Sequence, residues 1–263
     1  MRDHEVDDHP PPRVAALAGG RPLRLQWRNE VGGTTWAVGD PPSEYVKWSP
    51  SPAGPDLAAE VARLRWLATW TPVPRVLQAG ADGDGTWLRT PAMPGRSAVD
   101  PRWLAEPATA VAAIGRGLRA FHDAVPVAVC PFSWSAAARV ADASRRAAAG
   151  RLEPGRWHLE HRGLGVAGAL TVLADAPDAD RLVVCHGDAC SPNSLLAEDG
   201  SWAGHVDLVD AGVADRWADL AVATWSSDWN YGPGWDRHLL DAYGVDPDPE
   251  RTAWYRLLWD LGP

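Results

Sequence analysis

Apolar residues follow two different patterns along this chain, and the change falls at Pro91-Ala-Met-Pro-Gly95. Before that segment they alternate with polar residues in short runs, as in Pro22–Arg28, which is typical of half-buried strands. Beyond it they recur every three or four residues, as in helices that pack by one face. The sequence therefore predicts a small sheet, a hinge at residues 91–95 and a larger, mainly helical part.

Five short runs in the first part are predicted to form a mostly antiparallel sheet. They cover Pro22–Arg28, Thr34–Val38, Glu44–Trp48, Pro72–Leu77 and Thr86–Thr90. Asp56 is the predicted N-cap of one helix. The apolar stripe of that helix is Leu57, Val61, Leu64 and Leu67. Met1–Pro12 lacks the apolar segment of a signal peptide, and residues 1–20 are predicted to be a flexible tail.

The second part contains several predicted helices and a few short strands. One helical stripe consists of Val111, Ile114, Leu118 and Phe121. Alanine-rich segments near 136–149 and 164–175 are also predicted helices. Arg181–Cys185 is a predicted strand, and Asn193–Leu196 with Gly204–Leu208 is a predicted hairpin around Asp199-Gly200. The predicted organisation is a tail at 1–20, a small lobe at 21–92 and a larger lobe at 93–263.

Three oxygen-bearing side chains lie in Val184-Cys-His-Gly-Asp188-Ala-Cys-Ser-Pro-Asn193 and in His205-Val-Asp207. Transfer of a terminal phosphoryl group requires a carboxylate that orients the attacking hydroxyl and a metal ion that offsets the phosphate charge. Asp188 is therefore the predicted catalytic residue. Asn193 and Asp207 offer the hard oxygen ligands that Mg²⁺ prefers, and they are the predicted metal ligands.

Lys47 is the only lysine among the 25 Lys and Arg residues, and it lies in a predicted strand. A compact ammonium fits between phosphate oxygens where a planar guanidinium fits less well. Lys47 is therefore predicted to contact the non-transferred phosphates of a nucleotide, with Glu60 holding it in place. Backbone N–H groups around Gly32 and Gly33, together with the adjoining Thr34, are predicted to cover the phosphates.

Each of these residues also has a simpler interpretation when it is taken alone. A strand lysine is usually solvated, and a carboxylate at a helix start, such as Glu60, is favoured by the helix dipole. Gly32-Gly33 lacks the full G-x-G-x-x-G pattern and also suits an ordinary hairpin. His186 is interpreted as a structural hydrogen-bonding residue. The ordered combination, rather than any single member, indicates phosphoryl transfer.

The segment from His186 to Asp219 closely resembles the aminoglycoside 3'-phosphotransferases, a branch of the protein-kinase-like fold. The matching motifs are His186-Gly-Asp188 with Asn193, then Asp207, then Gly212-Val-Ala-Asp-Arg216 followed by Asp219-Leu-Ala. The resemblance extends from about the first strand to the C-terminus. It implies an α+β, bilobal protein-kinase-like fold, with a small N-lobe of antiparallel sheet plus one helix and a larger, mainly helical C-lobe.

The same resemblance implies cofactors and roles. ATP, or GTP, and Mg²⁺ are the implied cofactors, with Asp188 as the catalytic residue and Asn193 and Asp207 on the metal. A nucleotide cleft is implied at a hinge near Thr90, Ala92 and Met93. The position of Asp219 implies a residue that braces the catalytic loop.

The region implied to bind the acceptor departs from the family, which holds polycationic sugars in a pocket rich in carboxylates. Gly155–Glu160 supplies one carboxylate, and Asp210 stands where an arginine is usual. Relatives generally have charged residues at the positions of Trp225, Ser226, Trp229 and Asn230. The predicted acceptor-binding residues are Glu160, Asp210, Trp225, Trp229, Asn230 and Asp260. The two tryptophans either stack on sugars and hold ammonium groups or simply pack the core.

The leading expectation is an O-phosphotransferase that inactivates an aminoglycoside-type antibiotic. One alternative is the same chemistry on a less cationic acceptor, such as a nucleoside antibiotic or another sugar-bearing metabolite. Another is a nucleotide-binding pseudokinase, against which the complete set of catalytic residues argues. A protein kinase is disfavoured because only seven residues separate Asp207 from Asp215, which leaves no room for a long activation segment.

Composition and charge narrow the classes of partner that this chain can bind. The net charge of −9 argues against sequence-independent nucleic-acid binding, which needs a basic surface. The three cysteines lack metal-type spacing and indicate a reducing compartment. No apolar run approaches the roughly 20 residues that span a bilayer. We expect a cytoplasmic protein, monomeric or homodimeric, with a small-molecule hydroxyl acceptor and neither membrane nor nucleic acid as a partner.

Overall fold

The computed structural model describes residues 9–54 and 57–262. Asp56, the predicted helix cap, lies outside the described residues. The chain divides into two compact units, Met1–Met93 and Pro94–Pro263. The division falls one residue beyond the predicted boundary at 92/93.

Within its described residues, the first unit is a five-stranded antiparallel sheet with two helices. Its elements are α1 (Pro12–Ala18), β1 (Leu23–Arg28), β2 (Thr34–Val38), β3 (Glu44–Pro50), α2 (Ala58–Leu67), β4 (Gln78–Ala81) and β5 (Gly85–Pro91). The strand order is β1-β2-β3-β5-β4. All four predicted stripe residues of α2 are buried, as is Glu60 on the same helix.

Helix α1 corrects the prediction of a flexible tail for Pro12–Ala18, whereas residues 1–8 of that predicted tail lie outside the described residues. Pro12 occupies the first turn, where a missing N–H costs nothing, and Gly19 ends the helix in the left-handed conformation. Val14 and Ala18, one turn apart, are both buried and pack with Trp36, Val38 and Val46 of the sheet. The helix forms because this short stripe has a sheet face to cover.

The predicted strand at Pro72–Leu77 is also wrong. The strand is β4, which begins at Gln78, and the first pairing bond in this region is from Leu77 N to Arg89 O at 2.9 Å. Pro72 and Pro74 have no N–H to donate, so the preceding segment is extended without joining the sheet.

The second unit is mainly helical. Its helices are α3 (Pro101–Leu104), α4 (Pro107–Ala124), α5 (Ala136–Ala148), α6 (Leu159–Arg162), α7 (Gly165–Ala174), α8 (Trp217–Tyr231), α9 (Asp236–Tyr243) and α10 (Pro249–Asp260). Its strands are β6 (Arg96–Ser97), β7 (Leu182–Cys185), β8 (Ser194–Leu196), β9 (Trp202–His205) and β10 (Gly212–Asp215). They form two small antiparallel sheets, β10-β7 and β6-β8-β9.

Helix α4 lies at the centre of this unit. The predicted stripe of Val111, Ile114, Leu118 and Phe121 is completely buried. The long helix α8 is nearly all buried along its first eleven residues, from Trp217 to Ser227. Among the described residues, no helix is both long and apolar enough to cross a membrane.

The predicted hairpin forms with strands shorter than expected. β9 ends at His205, rather than at Leu208, because Asp207 adopts a left-handed backbone conformation (φ 64°) that strand pairing does not allow. The turn at Asp199-Gly200 is the predicted one, and Asp199 Oδ1 accepts a hydrogen bond from Ser201 N at 2.9 Å.

Candidate active site

The loop from His186 to Asn193 connects β7 to β8 and carries the predicted catalytic residue. β7 pairs with β10 in register from Leu182–Asp215 to Cys185–Gly212, which fixes where the loop begins. Gly187 has φ 91°, and a side chain there would lie 2.6 Å from the Asp210 carbonyl oxygen. Only glycine fits, since both the backbone conformation and the close approach of Asp210 exclude a Cβ.

Asp219 holds the start of this loop from the first turn of α8. Its carboxylate accepts hydrogen bonds from His186 N at 2.6 Å and Gly187 N at 2.9 Å. His122 Nε2 lies 3.0 Å from the same carboxylate, and Tyr243 bonds the other ring nitrogen. The bracing role implied for Asp219 is therefore seen in the hydrogen bonds.

The pKa of Asp219 reflects this network. Burial alone would raise the pKa, because a charge without water is costly. Hydrogen bonds from His122 and Gly187, with the nearby rings of His122 and His186, outweigh burial and lower the pKa below its ordinary value. Asp219 is thus an anion at neutral pH, as its role as a hydrogen-bond acceptor requires.

Asp188 is held on both carboxylate oxygens. Asn193 Nδ2 donates to Oδ2 at 3.0 Å, and the Cys190 thiol donates to Oδ1 at 3.0 Å. The backbone N–H of Asp188 donates to His186 Nδ1 at 3.3 Å, so His186 Nε2 carries the proton that bonds Val206 O at 3.0 Å. Both nitrogens of His186 therefore serve the backbone, which agrees with its structural interpretation.

Asn193 and Asp207 lie at adjacent ends of the β8-β9 hairpin. Ser194 of β8 pairs with His205 of β9. Val206 N donates to Asn193 O at 3.0 Å, so the residue just before Asp207 is hydrogen-bonded to Asn193. Asn193 Nδ2 donates to both the backbone oxygen and Oδ2 of Asp188. These bonds use both amide hydrogens and leave Oδ1 as the ligand atom of Asn193.

Lys47 and Glu60 form an ion pair in the first unit. Lys47 Nζ lies 2.6 Å from Glu60 Oε1. Lys47 is on β3 between Thr35 of β2 and Leu88 of β5, and Glu60 is on the buried face of α2. The Glu60 side chain is 4% exposed and that of Lys47 is 24% exposed. The ammonium is thus held by a buried carboxylate and still reaches solvent.

The glycine turn between β1 and β2 uses its own amides. Gly33 N donates to Asn29 Oδ1 at 2.6 Å, and Gly32 N donates to Asn29 O at 3.2 Å. Thr34 is buried, and its hydroxyl accepts from Trp36 Nε1 at 2.9 Å. The predicted phosphate contacts of the Gly32 and Gly33 amides would require these bonds to change, whereas the Thr34 hydroxyl keeps its own hydrogen while it accepts from Trp36.

The segment predicted to contact the nucleotide base follows β5. Thr90 is buried and pairs with Tyr45. Ala92 N donates to Ser43 O at 2.9 Å, which continues the sheet. Ala92 and Met93 are partly exposed. A base at this segment would therefore use backbone groups other than the Ala92 amide.

The predicted acceptor residues fall into two groups. Asp260 Oδ2 accepts from His158 N at 2.9 Å and lies 2.5 Å from His161 Nδ1, and Asn230 Nδ2 donates to Ser226 O at 2.7 Å. Both of these side chains are engaged inside the protein. Glu160 and Trp229 are exposed, and the carboxylate of Glu160 lies 3.7 Å from His158 Nδ1.

The tryptophans divide in the same way. Trp225 is 2% exposed, whereas Trp229 is 46% exposed. The rings of Trp225 and Trp229 are 5.2 Å apart, and Trp259 of α10 lies 5.7 Å from Trp229. Of the two predicted residues, Trp225 is core and Trp229 presents an indole to solvent.

Asp210 lies against the catalytic loop, next to Gly187. Arg139 of α5 stacks on Trp134 at 4.6 Å, and Trp134 N donates to Val213 O three residues beyond Asp210. Burial lowers the pKa of Arg139 to about 10, and the charge of Asp210 opposes that shift. Asp210 therefore has a cation in its surroundings that the sequence did not indicate.

Comparison with known proteins agrees with this geometry. Residues 26–255 match the phosphotransferase enzyme family. An aminoglycoside 3'-phosphotransferase of Streptomyces fradiae is 37% identical over 213 residues, which are 77% of this chain and 78% of the relative. The streptomycin 3''-kinase of Streptomyces griseus is 35% identical over 270 residues, 95% of this chain and 97% of the relative.

Solved structures give the same result. The aminoglycoside phosphotransferase APH(3'')-Id of Streptomyces rimosus superposes with a TM-score of 0.80 at 28% identity, covering 94% of this chain and 95% of that one. The same enzyme has been solved in complex with ADP and streptomycin, at a TM-score of 0.76. The fold is thus the bilobal, kinase-like α+β fold.

Together, the fold and the loop around Asp188 define a phosphotransferase of small molecules. This chain belongs to the phosphotransferase enzyme family and is a small-molecule kinase.

Proposed function

We propose that this kinase transfers the γ-phosphoryl group of ATP to a hydroxyl group of an aminoglycoside-type antibiotic, with Mg²⁺ as the metal. The observation that carries the proposal is the arrangement around Asp188: a carboxylate held on both oxygens, next to the hairpin ends that carry Asn193 and Asp207. The similarity to aminoglycoside kinases, one solved with ADP and streptomycin, supports the acceptor class.

In this proposal Asp188 orients the acceptor hydroxyl and takes its proton. The acceptor oxygen forms a bond to the γ-phosphorus, the bond from that phosphorus to the β–γ bridging oxygen breaks, and ADP leaves. A carboxylate offers about four lone-pair positions, of which the two donors on Asp188 occupy two. The remaining positions are available to the hydroxyl.

The residues present suit Mg²⁺. Asn193 would bind through Oδ1, since its amide hydrogens are donated to Asp188, and Asp207 would bind through its carboxylate. Oxygen atoms of this kind are the ligands that Mg²⁺ takes beside substrate phosphates. When bound, the ion would offset the charge of the phosphates.

Lys47 would contact the non-transferred phosphates of the nucleotide. Its bond to the buried Glu60 fixes the ammonium and removes rotamers that the long side chain would otherwise sample. Fixing a donor before the reaction is favourable because no free energy is then needed to reorganise it. Glu60 thus acts through Lys47 and does not itself touch the nucleotide.

The residues predicted to bind the acceptor support a second candidate function, which is phosphorylation of a less cationic acceptor. Asp260 and Asn230 are engaged inside the protein, whereas Glu160 and the indole of Trp229 are exposed and Asp210 lies beside Gly187 of the catalytic loop. Each near-surface ion pair contributes about 1 kcal/mol or less, and a cation over an indole about 0.5 to 2 kcal/mol. This mixture also suits a less cationic, sugar-bearing acceptor.

An acceptor panel tests the proposal. Purified protein would be given ATP and Mg²⁺ with streptomycin, with an aminoglycoside that bears a 3'-hydroxyl, and with a neutral nucleoside acceptor, while ADP release is followed and products are analysed by mass spectrometry. We expect a singly phosphorylated aminoglycoside and no turnover without Mg²⁺. Turnover of the neutral acceptor alone would reject the aminoglycoside in favour of the second candidate.

The proposal also includes a cytoplasmic location, where ATP is available. Cys130, Cys185 and Cys190 are all thiols in the structure, which suits a reducing compartment.

A further inference from the structure

The Cys190 thiol is one of the two donors that hold the catalytic carboxylate. Its sulfur lies 3.0 Å from Asp188 Oδ1, and Asn193 Nδ2 lies 3.0 Å from Oδ2. The torsion that turns a carboxylate about its Cβ–Cγ bond is broad and weakly restrained. Two donors on opposite oxygens remove that freedom. The direction of the Asp188 lone pairs therefore depends on Cys190 as much as on Asn193.

Ser226 of α8 bonds the residue that follows Cys190 in the catalytic loop, and it is 1% exposed. Its Oγ accepts from Ser191 N at 2.8 Å and from Asn230 Nδ2 at 3.2 Å. Because Ser191 adjoins Cys190, the Ser226 hydroxyl fixes the backbone next to the thiol. The thiol itself donates to Asp188 Oδ1.

We propose that a hydrogen-bond chain from Asn230 and Ser226 through the Ser191–Cys190 backbone positions the carboxylate of Asp188 for phosphoryl transfer. The chain runs from the Asn230 amide to the Ser226 hydroxyl, on to the backbone N–H of Ser191, and through the adjoining Cys190 thiol to Asp188 Oδ1. This inference rests on the catalytic role proposed for Asp188. It gives Asn230 a positioning role in place of direct contact with the acceptor, and it couples α8 to the reacting groups.

Cys190→Ala, Cys190→Ser and Ser226→Ala test the chain. Ser227→Ala is the matched control, because Ser227 is the next residue of α8, is equally buried and bonds only Ala223 O within its own helix. For each variant, kcat and the KM values for ATP and acceptor would be measured, together with ATP affinity by calorimetry and the melting temperature.

We expect Cys190→Ala to lower kcat by roughly 10- to 100-fold, since misplacing a catalytic group by about 1 Å costs up to about 10²-fold. Both KM values should stay near wild type because the thiol is not among the groups proposed to bind ATP or the acceptor. Cys190→Ser should recover most of the lost kcat, since a hydroxyl can donate in the same direction. Ser226→Ala should lower kcat, and Ser227→Ala should not.

The chain is rejected if Cys190→Ala keeps wild-type kcat, or if Ser226→Ala and Ser227→Ala behave alike. A fall in melting temperature with kcat unchanged would assign these residues a purely structural role and would also overturn the proposal. Should Cys190→Ala fail to fold, Ser226→Ala against Ser227→Ala decides the matter. An Asp188→Asn variant that still turns over would instead refute the function on which the chain rests, so the two failures are distinguishable.

Discussion

Replacing Asp219 with asparagine should weaken the hydrogen bonds that hold the catalytic loop to α8. Asp219 is completely buried, and three donors point at it: His186 N and His122 Nε2 at Oδ2, and Gly187 N at Oδ1. An asparagine has one acceptor oxygen and one NH₂ group in place of two acceptors. The least costly orientation keeps the oxygen at the Oδ2 position, so that the NH₂ group faces Gly187 N–H, donor against donor.

The loss in the free energy of unfolding caused by Asp219→Asn follows from the number of hydrogen bonds that are lost. A lost hydrogen bond to a charged group costs about 1.5 to 3 kcal/mol, and the buried Gly187 N–H left unsatisfied costs about 1 to 3 kcal/mol more. We therefore expect a loss of about 2.5 to 6 kcal/mol in the free energy of unfolding. At about 2 to 4 °C per kcal/mol, the melting temperature should fall by roughly 5 to 24 °C.

Activity should fall as well, because Gly187 directly precedes Asp188. A displaced loop should lower kcat by about 10²-fold. The matched control is Asp199→Asn in the exposed β8-β9 turn, which should change stability by only about 0.5 kcal/mol. Calorimetry and steady-state kinetics on both variants provide the test. An Asp219→Asn protein that melts and turns over like wild type would refute the bracing role.

Two further predictions concern charges of the first unit. Lys47→Arg should raise the KM for ATP by about 10- to 100-fold, since a charged hydrogen bond is worth about 1.5 to 3 kcal/mol. Glu60→Gln should give a smaller rise in KM in the same kinetic assay. An unchanged KM in both variants would show that Lys47 does not contact the nucleotide. Glu44, bonded to Arg89 and Arg21, has its pKa lowered to about 2 by those hydrogen bonds, so Glu44→Gln should cost about 1 to 3 kcal/mol at pH 7. Because the pKa of Glu44 is depressed in the folded state, the stability difference between wild type and Glu44→Gln should persist down to about pH 4.5 and vanish towards pH 2 in urea unfolding curves. A stability difference that does not depend on pH would contradict its electrostatic origin.

Much of the fold could be predicted because local signals and tertiary packing agree. The stripe of α4 and the β8-β9 turn each follow from periodicity or turn chemistry within one segment. The prediction failed where the partner surface decides. Helix α1 is too short to be stable alone, and it forms because Val14 and Ala18 cover the sheet.

The residues of the candidate site also divide into those that local sequence predicts and those that depend on tertiary packing. Asp188, Asn193 and Asp207 could be predicted to lie together because their spacing within one loop and hairpin is fixed by the chain itself. Asp260 and Ser226 could not be placed in the same way. Asp260 bonds His161, 99 residues away, and Ser226 bonds Ser191 N, 35 residues away. Which side of α8 or α10 faces the catalytic loop is set by helix packing, and a single sequence does not reveal that rotation.

The central claim is that Asp188 orients and deprotonates the acceptor hydroxyl. Asp188→Asn keeps the size of the side chain and removes its basicity, so it separates chemistry from nucleotide binding. We predict that this variant binds ATP as tightly as the wild-type protein in calorimetry and forms no phosphorylated acceptor by mass spectrometry. Phosphorylation at the wild-type rate by Asp188→Asn would contradict the account.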